Sequence, residues 1–131
     1  MNRRDTILVA DDVEINRAVL RSIFEEDYNV LEAENGEQAL FLMRQYRDSI
    51  AIVLLDLIMP VRDGYEVMEE WQADPSLRGL PVAVITADDS VESEIRVFDL
   101  GASDIIGKPF EPHLVRRRIQ NIVSLSQRHL D

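Results

Sequence analysis

No cysteine occurs among the 131 residues. That excludes disulfides, thiolate metal sites and cysteine nucleophiles together, and it suits a reducing compartment. No apolar run approaches the ~20 residues needed to cross a bilayer. The stretch Ile7–Ala10, behind the basic start Arg3-Arg4, is far shorter than the core of a secretion signal. The expectation is a cytoplasmic protein. Lysine is almost missing as well: Lys108 stands against thirteen arginines. Arginine suits surface pairing, whereas lysine is a compact point charge on a flexible stem, so the position of a solitary lysine is informative. Positive charge is short overall. A formal net charge of −11 argues against nucleic acid and anionic membrane as direct partners. Neither GxxxxGK[ST] nor GxGxxG is present, which excludes the glycine-rich loops that cradle nucleotide phosphates. There is no low-complexity tract, repeat or linker. Residues 1–131 read as a single domain with its core at about 6–126.

What the chain does have is alternation. Ala51–Leu55 is a short β-branched-rich run that ends at Asp56, and Met59-Pro60 and Asp63-Gly64 then break regular structure. Such a run predicts a strand buried on both faces. Thr6–Ala10, ending at Asp11-Asp12, and Pro81–Ile85, closed by Thr86, have the same character. Asn29–Ala33 carries a polar interruption, as an edge strand would, and Asp104–Ile106 is a short fifth strand. Helical spacing fills the gaps. Val13, Ile15, Val19, Leu20, Ile23 and Phe24 share one half of a helical wheel, with Asp12 in N-cap position. Further helices are predicted over Glu37–Arg47, from Gly64 through Trp71 to before Pro75, over Ser90–Leu100 up to Gly101, and over Glu111–His129. The last has Pro112 in its first turn and buries Val115, Ile119, Ile122 and Val123. Five strand–helix units in strict order predict an α/β fold: parallel strands, right-handed crossovers and helices on both faces. The three most apolar strands belong at its centre.

Each apolar strand then delivers a polar group immediately past its C-terminal end. The first gives Asp11 and Asp12, the third Asp56, the fourth Thr86 and the fifth, two residues on, Lys108. In an open parallel sheet those ends form the ligand crevice. Taken singly, each residue reads as a turn or cap. Together they bring three carboxylates, a hydroxyl and an ammonium to one edge. Two carboxylates about 4 Å apart repel by roughly 4 kcal/mol at an effective dielectric near 20, so the cluster requires cations. Lys108 offsets one charge and a divalent ion matches the other two. All-oxygen ligands favour Mg²⁺ or Mn²⁺ over zinc. Mg²⁺ bridges readily to phosphoryl oxygens, and a carboxylate can itself take a phosphoryl group.

These residues resemble the receiver domain of two-component response regulators, over essentially the whole chain from Ile7 to about Ser126. The resemblance rests on four segments: Val-Ala-Asp-Asp (9–12), Leu-Leu-Asp-Leu-Ile-Met-Pro-Val-Arg-Asp-Gly (54–64), Val-Ile-Thr-Ala (84–87) and Gly-Ala-Ser-Asp-Ile-Ile-Gly-Lys-Pro-Phe (101–110). It implies a CheY-like, flavodoxin-like fold with strand order 2-1-3-4-5. It further implies that Asp56 accepts a phosphoryl group from a histidine kinase or phosphotransfer protein. Asp12, Asp56 and the backbone carbonyl of Ile58 would bind Mg²⁺ directly, and Asp11 through water. Lys108 would pair with Asp56 and then with the acyl phosphate, Thr86 would donate to a phosphoryl oxygen, and small Ala87 would leave room for the group. Lys108–Pro109 is expected to be a cis peptide.

One departure stands out. Receivers often carry an aromatic three residues before the lysine, and Ile105 occupies that position here. A stiff β-branched aliphatic cannot act as the same reporter, so output is expected through the 86–94 segment and the fourth helix. Ile58 and Asp88 should tune the phosphoryl lifetime, Ile58 by hindering water and Asp88 by aligning it, which predicts slow-to-moderate autodephosphorylation. On the last helix, Arg116-Arg117-Arg118 read as a solvated face, or else as partners of Asp99 and Asp104 across a homodimer. His113 and His129 read as exposed and inert. The tail, with Leu125 and Leu130, resembles receivers that continue into an output domain, often a cyclic-dinucleotide enzyme. The expected function is a phosphorylation switch rather than a turnover enzyme. Two alternatives are a Mg²⁺-dependent phosphatase with an Asp nucleophile and a degenerate receiver acting as an adaptor. The phosphatases of the haloacid-dehalogenase kind place Asp-x-Asp after their first strand, whereas Asp56 is followed two residues on by Ile58.

Overall fold

A computed structural model describes residues 4–130, with side chains as far as Gln127. Its strands are β1 (Thr6–Ala10), β2 (Asn29–Ala33), β3 (Ile50–Leu55), β4 (Val82–Thr86) and β5 (Asp104–Gly107). Its helices are α1 (Glu14–Phe24), α2 (Gly36–Gln45), α3 (Gly64–Ala73), α4 (Val91–Asp99) and α5 (Pro112–Leu130). A 3₁₀ turn at Pro75–Leu77 follows α3. All strand pairs are parallel, in the order β2-β1-β3-β4-β5. The three apolar strands are central, as expected, and the two polar-containing ones are edges.

Alternation along the central strands builds two cores. Leu8, Ala10, Val53, Leu55, Val82 and Val84 face one side, where α2, α3 and α4 supply Leu40, Met43, Val67, Met68 and Val97. Ile7, Val9, Ile52, Leu54, Ala83 and Ile85 face the other, against Leu20 and Phe24 of α1 and Val115, Ile119 and Val123 of α5. Period-two strands covered on both faces explain the unbroken apolar runs.

Two expectations are corrected. The apolar half-wheel on α1 is not all core. Leu20 and Phe24 are buried, but Val13, Ile15 and Val19 are exposed, Ile15 by 67%. Val19 is exposed beside buried Leu20, so the burying face of α1 is narrower than the apolar half-wheel. Its other anchor is polar: Arg17 and Arg21 bracket Glu32 of β2 at 3.0 and 2.7 Å. Of the three adjacent arginines on α5, Arg117 is exposed, as a solvated face would be, whereas the other two are engaged. Arg118 forks onto Asp104 at 2.6 and 2.8 Å, and Arg116 pairs with Asp27, both within the chain. His113 is exposed beside Glu111, while the side chains of His129 and Leu130 lie outside the described residues.

Two local features shape the loop after β3. Gly64 opens α3 against the end of β3 so closely that a Cβ there would lie 2.4 Å from the carbonyl oxygen of Asp56. Only glycine permits this approach. Upstream, the Arg62 N–H turns back on the Pro60 carbonyl at 2.7 Å, with Val61 at the apex at φ 70°. A β-branched residue is strained in that region by about 1–2 kcal/mol, and Val61 is 74% exposed, so burial does not compensate it. Val61→Gly is therefore expected to raise the unfolding free energy by about 1 kcal/mol, the relief of strain exceeding glycine's entropic cost. Urea unfolding would measure it, and a destabilised variant would contradict the strain argument.

Candidate functional site

The strand ends hold the polar residues by continuing the ladder one residue into the loops. The Asp11 N–H donates to Ala33 at 3.0 Å, that of Asp56 to Ala10 at 2.9 Å and that of Lys108 to Thr86 at 2.8 Å. Each backbone is thus pinned by a neighbouring strand before its side chain reaches out. Asp11, Asp56 and Thr86 are buried, at 2%, 7% and 1% exposure, whereas Asp12 is exposed. The carboxylates of Asp11, Asp12 and Asp56 bring oxygens within 4.8 Å of one another.

Lys108 closes the cluster. Its Nζ donates to Asp11 Oδ2 at 2.7 Å and to Asp56 Oδ2 at 3.1 Å. It arrives from β5, ahead of a cis Lys108–Pro109 bond. The other oxygens of Asp11 and Asp56 have backbone donors. Asp11 Oδ1 accepts from Val13 N–H at 2.9 Å, and Asp56 Oδ1 accepts from Ile58 N–H at 3.4 Å. Asp11 therefore ties down the start of α1, where Asp12 was expected as the cap. Val13 holds the N-cap position, which leaves the Asp12 side chain uncommitted to the helix. Asn16 adds a long contact to Asp11 Oδ1 at 3.5 Å.

One ammonium among three carboxylates cannot satisfy all of them. Burial pushes the Asp56 pKa up. The Lys108 charge and hydrogen bond pull it down without cancelling that, the Asp11 charge adds to the rise, and the net direction is upward. Burial works against the Lys108 ammonium too, but the Asp11 hydrogen bond and the two negative charges outweigh it, so its pKa lies above the ordinary lysine value. The ammonium persists and the acidic side carries the excess charge. That donor set, hard oxygens with surplus negative charge and no imidazole or thiolate, fits Mg²⁺ or Mn²⁺.

The other anticipated residues fall around this centre. Thr86 ends β4, and its Oγ1 accepts from the Asp88 N–H at 3.2 Å. Ala87 is exposed and small. Ile58 is 67% exposed. Ile105 is half-buried against the α2–α4 core. Asp88 has a different task from the one expected. Its Oδ1 accepts from Ser90 N–H at 2.9 Å and its Oδ2 from Ser93 Oγ at 2.5 Å. These bonds hold its pKa below the usual aspartate value, the Ser93 hydroxyl contributing most, and tie the carboxylate to the start of α4. Sequence reading also missed Tyr65, whose hydroxyl donates to Ser93 Oγ at 2.8 Å. The two residues are 28 positions apart, and no local spacing marks the pair.

The raised Asp56 pKa fixes the sign of a pH effect. The folded state binds this proton more tightly than the unfolded chain, so the site's contribution to stability is full below the unfolded pKa and is lost as pH rises through the folded one. Asp56→Asn removes the cost of the buried charge and leaves Lys108 paired with Asp11. In a chelator, the variant should be more stable at pH 7 by about 1 kcal/mol. The gain should shrink as pH falls through the Asp56 titration. Thermal melts across that range would measure it, and a variant less stable than the parent at pH 7 would contradict the assignment.

A family model described as "Response regulator receiver domain" matches residues 7–120. Response regulator PleD of Caulobacter vibrioides is 37% identical over 117 residues, covering 88% of this chain and 25% of that protein. A probable cyclic di-GMP phosphodiesterase of Vibrio cholerae is 35% identical over 114 residues, covering 87% of this chain and 25% of that protein. A solved putative response regulator from Chloroflexus aurantiacus superposes with a TM-score of 0.83 at 29% identity, covering 93% of this chain and 99% of that one. The curated relatives are longer, and this chain spans between 9% and 55% of their lengths. With parallel order β2-β1-β3-β4-β5, an acidic triplet across two strand ends and a lysine bridging it from a third, the chain belongs to the response regulator receiver domain family of two-component signalling.

Proposed function

We propose that Asp56 is the phosphoacceptor of a phosphorylation switch, charged by a histidine kinase or histidine phosphotransfer protein. One observation carries this reading: Lys108 Nζ spans Asp11 and Asp56 at 2.7 and 3.1 Å. An ammonium held there offsets charge where a phosphoryl group on Asp56 would bring more. An Asp56 oxygen attacks phosphorus, the phosphorus–nitrogen bond of the phosphohistidine breaks, and its electron pair returns to the imidazole. The product is an acyl phosphate. Such transfer depends on charge neutralisation and alignment more than on covalent chemistry by the protein.

Asp11, Asp12, Asp56 and the Ile58 carbonyl would hold Mg²⁺ or Mn²⁺, which supplies charge neutralisation on the phosphoryl oxygens. The other work belongs to the chain. Pinned strand ends fix the acceptor. Lys108 stays within reach of both the carboxylate and the product, Thr86 offers its hydroxyl, and Ala87 leaves space. The reading is of a switch and not of a turnover enzyme. Its output is an attached or partner domain reached through the 86–94 segment and α4. The likeness to a probable cyclic di-GMP phosphodiesterase over its receiver-like quarter supports an output of the cyclic-dinucleotide kind. A homodimer joined through Asp104 loses its charge argument, because Arg118 of the same chain already holds that residue.

With acetyl phosphate and Mg²⁺, the intact protein should gain the mass of a single phosphoryl group, and Asp56→Asn should gain none. Continuing release of phosphate from a small ester would instead favour the phosphatase alternative. Exposed Ile58 covers the approach to the acyl phosphate with apolar surface. Ile58→Asn should shorten the phosphoryl half-life several-fold by giving water a hydrogen-bonding partner. An unchanged half-life in a quenched time course would remove Ile58 from the lifetime control.

A further inference from the structure

A continuous set of hydrogen bonds leaves the site in a direction the acceptor chemistry does not use. Thr86 Oγ1 accepts from the Asp88 N–H at 3.2 Å. The Asp88 carboxylate accepts from Ser90 N–H at 2.9 Å and from Ser93 Oγ at 2.5 Å. Ser90 Oγ caps α4 by accepting from Ser93 N–H at 3.2 Å. Ser93 Oγ in turn accepts from the Tyr65 hydroxyl at 2.8 Å. Tyr65 stands in the first turn of α3, just past Gly64, where α3 is pressed against the end of the strand that carries Asp56. Its ring is gripped from α4 as well, with the Arg96 guanidinium 3.9 Å from the ring centroid. Ser93 and Arg96 are three residues apart on α4 and so lie on one face of it. Tyr65 is thus held to α4 at both its ring and its hydroxyl.

This arrangement has two ends at the acceptor site. One is Thr86, whose hydroxyl is an acceptor for Asp88 in the unphosphorylated protein. The other is the start of α3, seated on the Asp56 backbone. Between them lie Asp88, Ser93 and Tyr65, and the first two fix where α4 begins. A shift of Thr86 toward a group on Asp56 would pull Oγ1 from the Asp88 N–H and disturb the same residue whose carboxylate anchors Ser90 and Ser93.

We propose that Tyr65 and Ser93 are positioning residues that hold the 86–90 loop and the start of α4 in the resting arrangement, so that occupation of Asp56 is coupled to α4 through the Thr86–Asp88–Ser93–Tyr65 bridge. The proposal rests on the reading of Asp56 as phosphoacceptor and deepens it by naming the residues through which α4 responds. Ile105 occupies the place where an aromatic reporter was expected, and the bridge supplies an aromatic from α3 instead. Coupling of this kind is reciprocal. If the bridge favours the resting state, weakening it must favour the occupied one.

The test is the affinity for beryllofluoride in the presence of Mg²⁺, read from the amide shifts of Asp88 and Lys108, for the parent, Tyr65→Phe, Ser93→Ala and Ser93→Thr. Tyr65→Phe keeps the ring and its contact with Arg96 and removes only the hydroxyl, and thermal melts verify that each variant is folded. Tyr65→Phe and Ser93→Ala should each bind between about two- and tenfold more tightly, the range that one hydrogen bond supports. Ser93→Thr keeps a hydroxyl and should stay near the parent. Variants that change in melting temperature but bind with unaltered affinity would reduce the bridge to a strut and overturn the proposal. Weaker binding would overturn it too, by assigning the bridge to the occupied state. A parent protein that binds no beryllofluoride would instead overturn the acceptor reading, and the bridge proposal with it.

Discussion

A single ammonium shared by two buried carboxylates sets the terms for this protein. Lys108 comes from β5, Asp11 from β1 and Asp56 from β3, so the contact spans 97 and 52 residues of sequence. Each acid is nearly inaccessible to water, and the lysine supplies the opposite charge that such burial calls for. The lysine gains from the acids in turn, since burial by itself works against the ammonium. The sheet order β2-β1-β3-β4-β5 meets this requirement. The two acid-bearing strands must be adjacent, and the lysine-bearing strand must lie close enough for a long flexible side chain to cross β4. An arginine would bring a wider fork and stronger demands on geometry, whereas a point charge can move from the carboxylate to whatever is attached to it.

Rigidity and mobility are divided between the two ends of each loop. The first residue beyond β1, β3 and β5 is still hydrogen-bonded to a neighbouring strand, so Asp11, Asp56 and Lys108 stand on backbone pinned to the sheet. The loops that follow are built differently. The one after β3 tolerates an unfavourable backbone at Val61 and a close approach at Gly64. The one after β4 is held by side chains, those of Asp88, Ser90 and Ser93, and by a tyrosine from another helix. Side-chain bonds of this type individually contribute about 1 kcal/mol, small enough to be exchanged when the charge on Asp56 changes. The carboxylate cluster and the start of α4 thus rest on different kinds of bond.

Most of the fold could be read from apolar periodicity. Runs of four to six apolar residues identified the three central strands, and Gly101 marked the end of α4 as a residue at φ 103°. The weaker readings came where periodicity was taken to mean burial. Val13, Ile15 and Val19 have helical spacing, yet Val19 is exposed beside buried Leu20, and a wheel cannot show how narrow the covered face is. Asp12 was expected to cap α1, but adjacent acids are equivalent in sequence, and only the direction of the chain after Ala10 turns Asp11 toward Val13. For Arg118, Asp104 was offered as a partner across a homodimer, whereas the pair forms within the chain, and Arg116 meets Asp27, 89 positions away.

The sequence by itself determined that the chain alternates strand and helix, that polar groups follow strand ends, and that one lysine would face several acids. These depend on local composition and spacing, which each segment carries with it. How the charges divide came from the fold. It brought Lys108 closer to Asp11 than to Asp56, bonded Asp88 to the start of α4, and joined Tyr65 to Ser93. Such contacts depend on where separate segments meet, to within an ångström, and hydrogen bonds and ion pairs between distant residues leave no period in the chain.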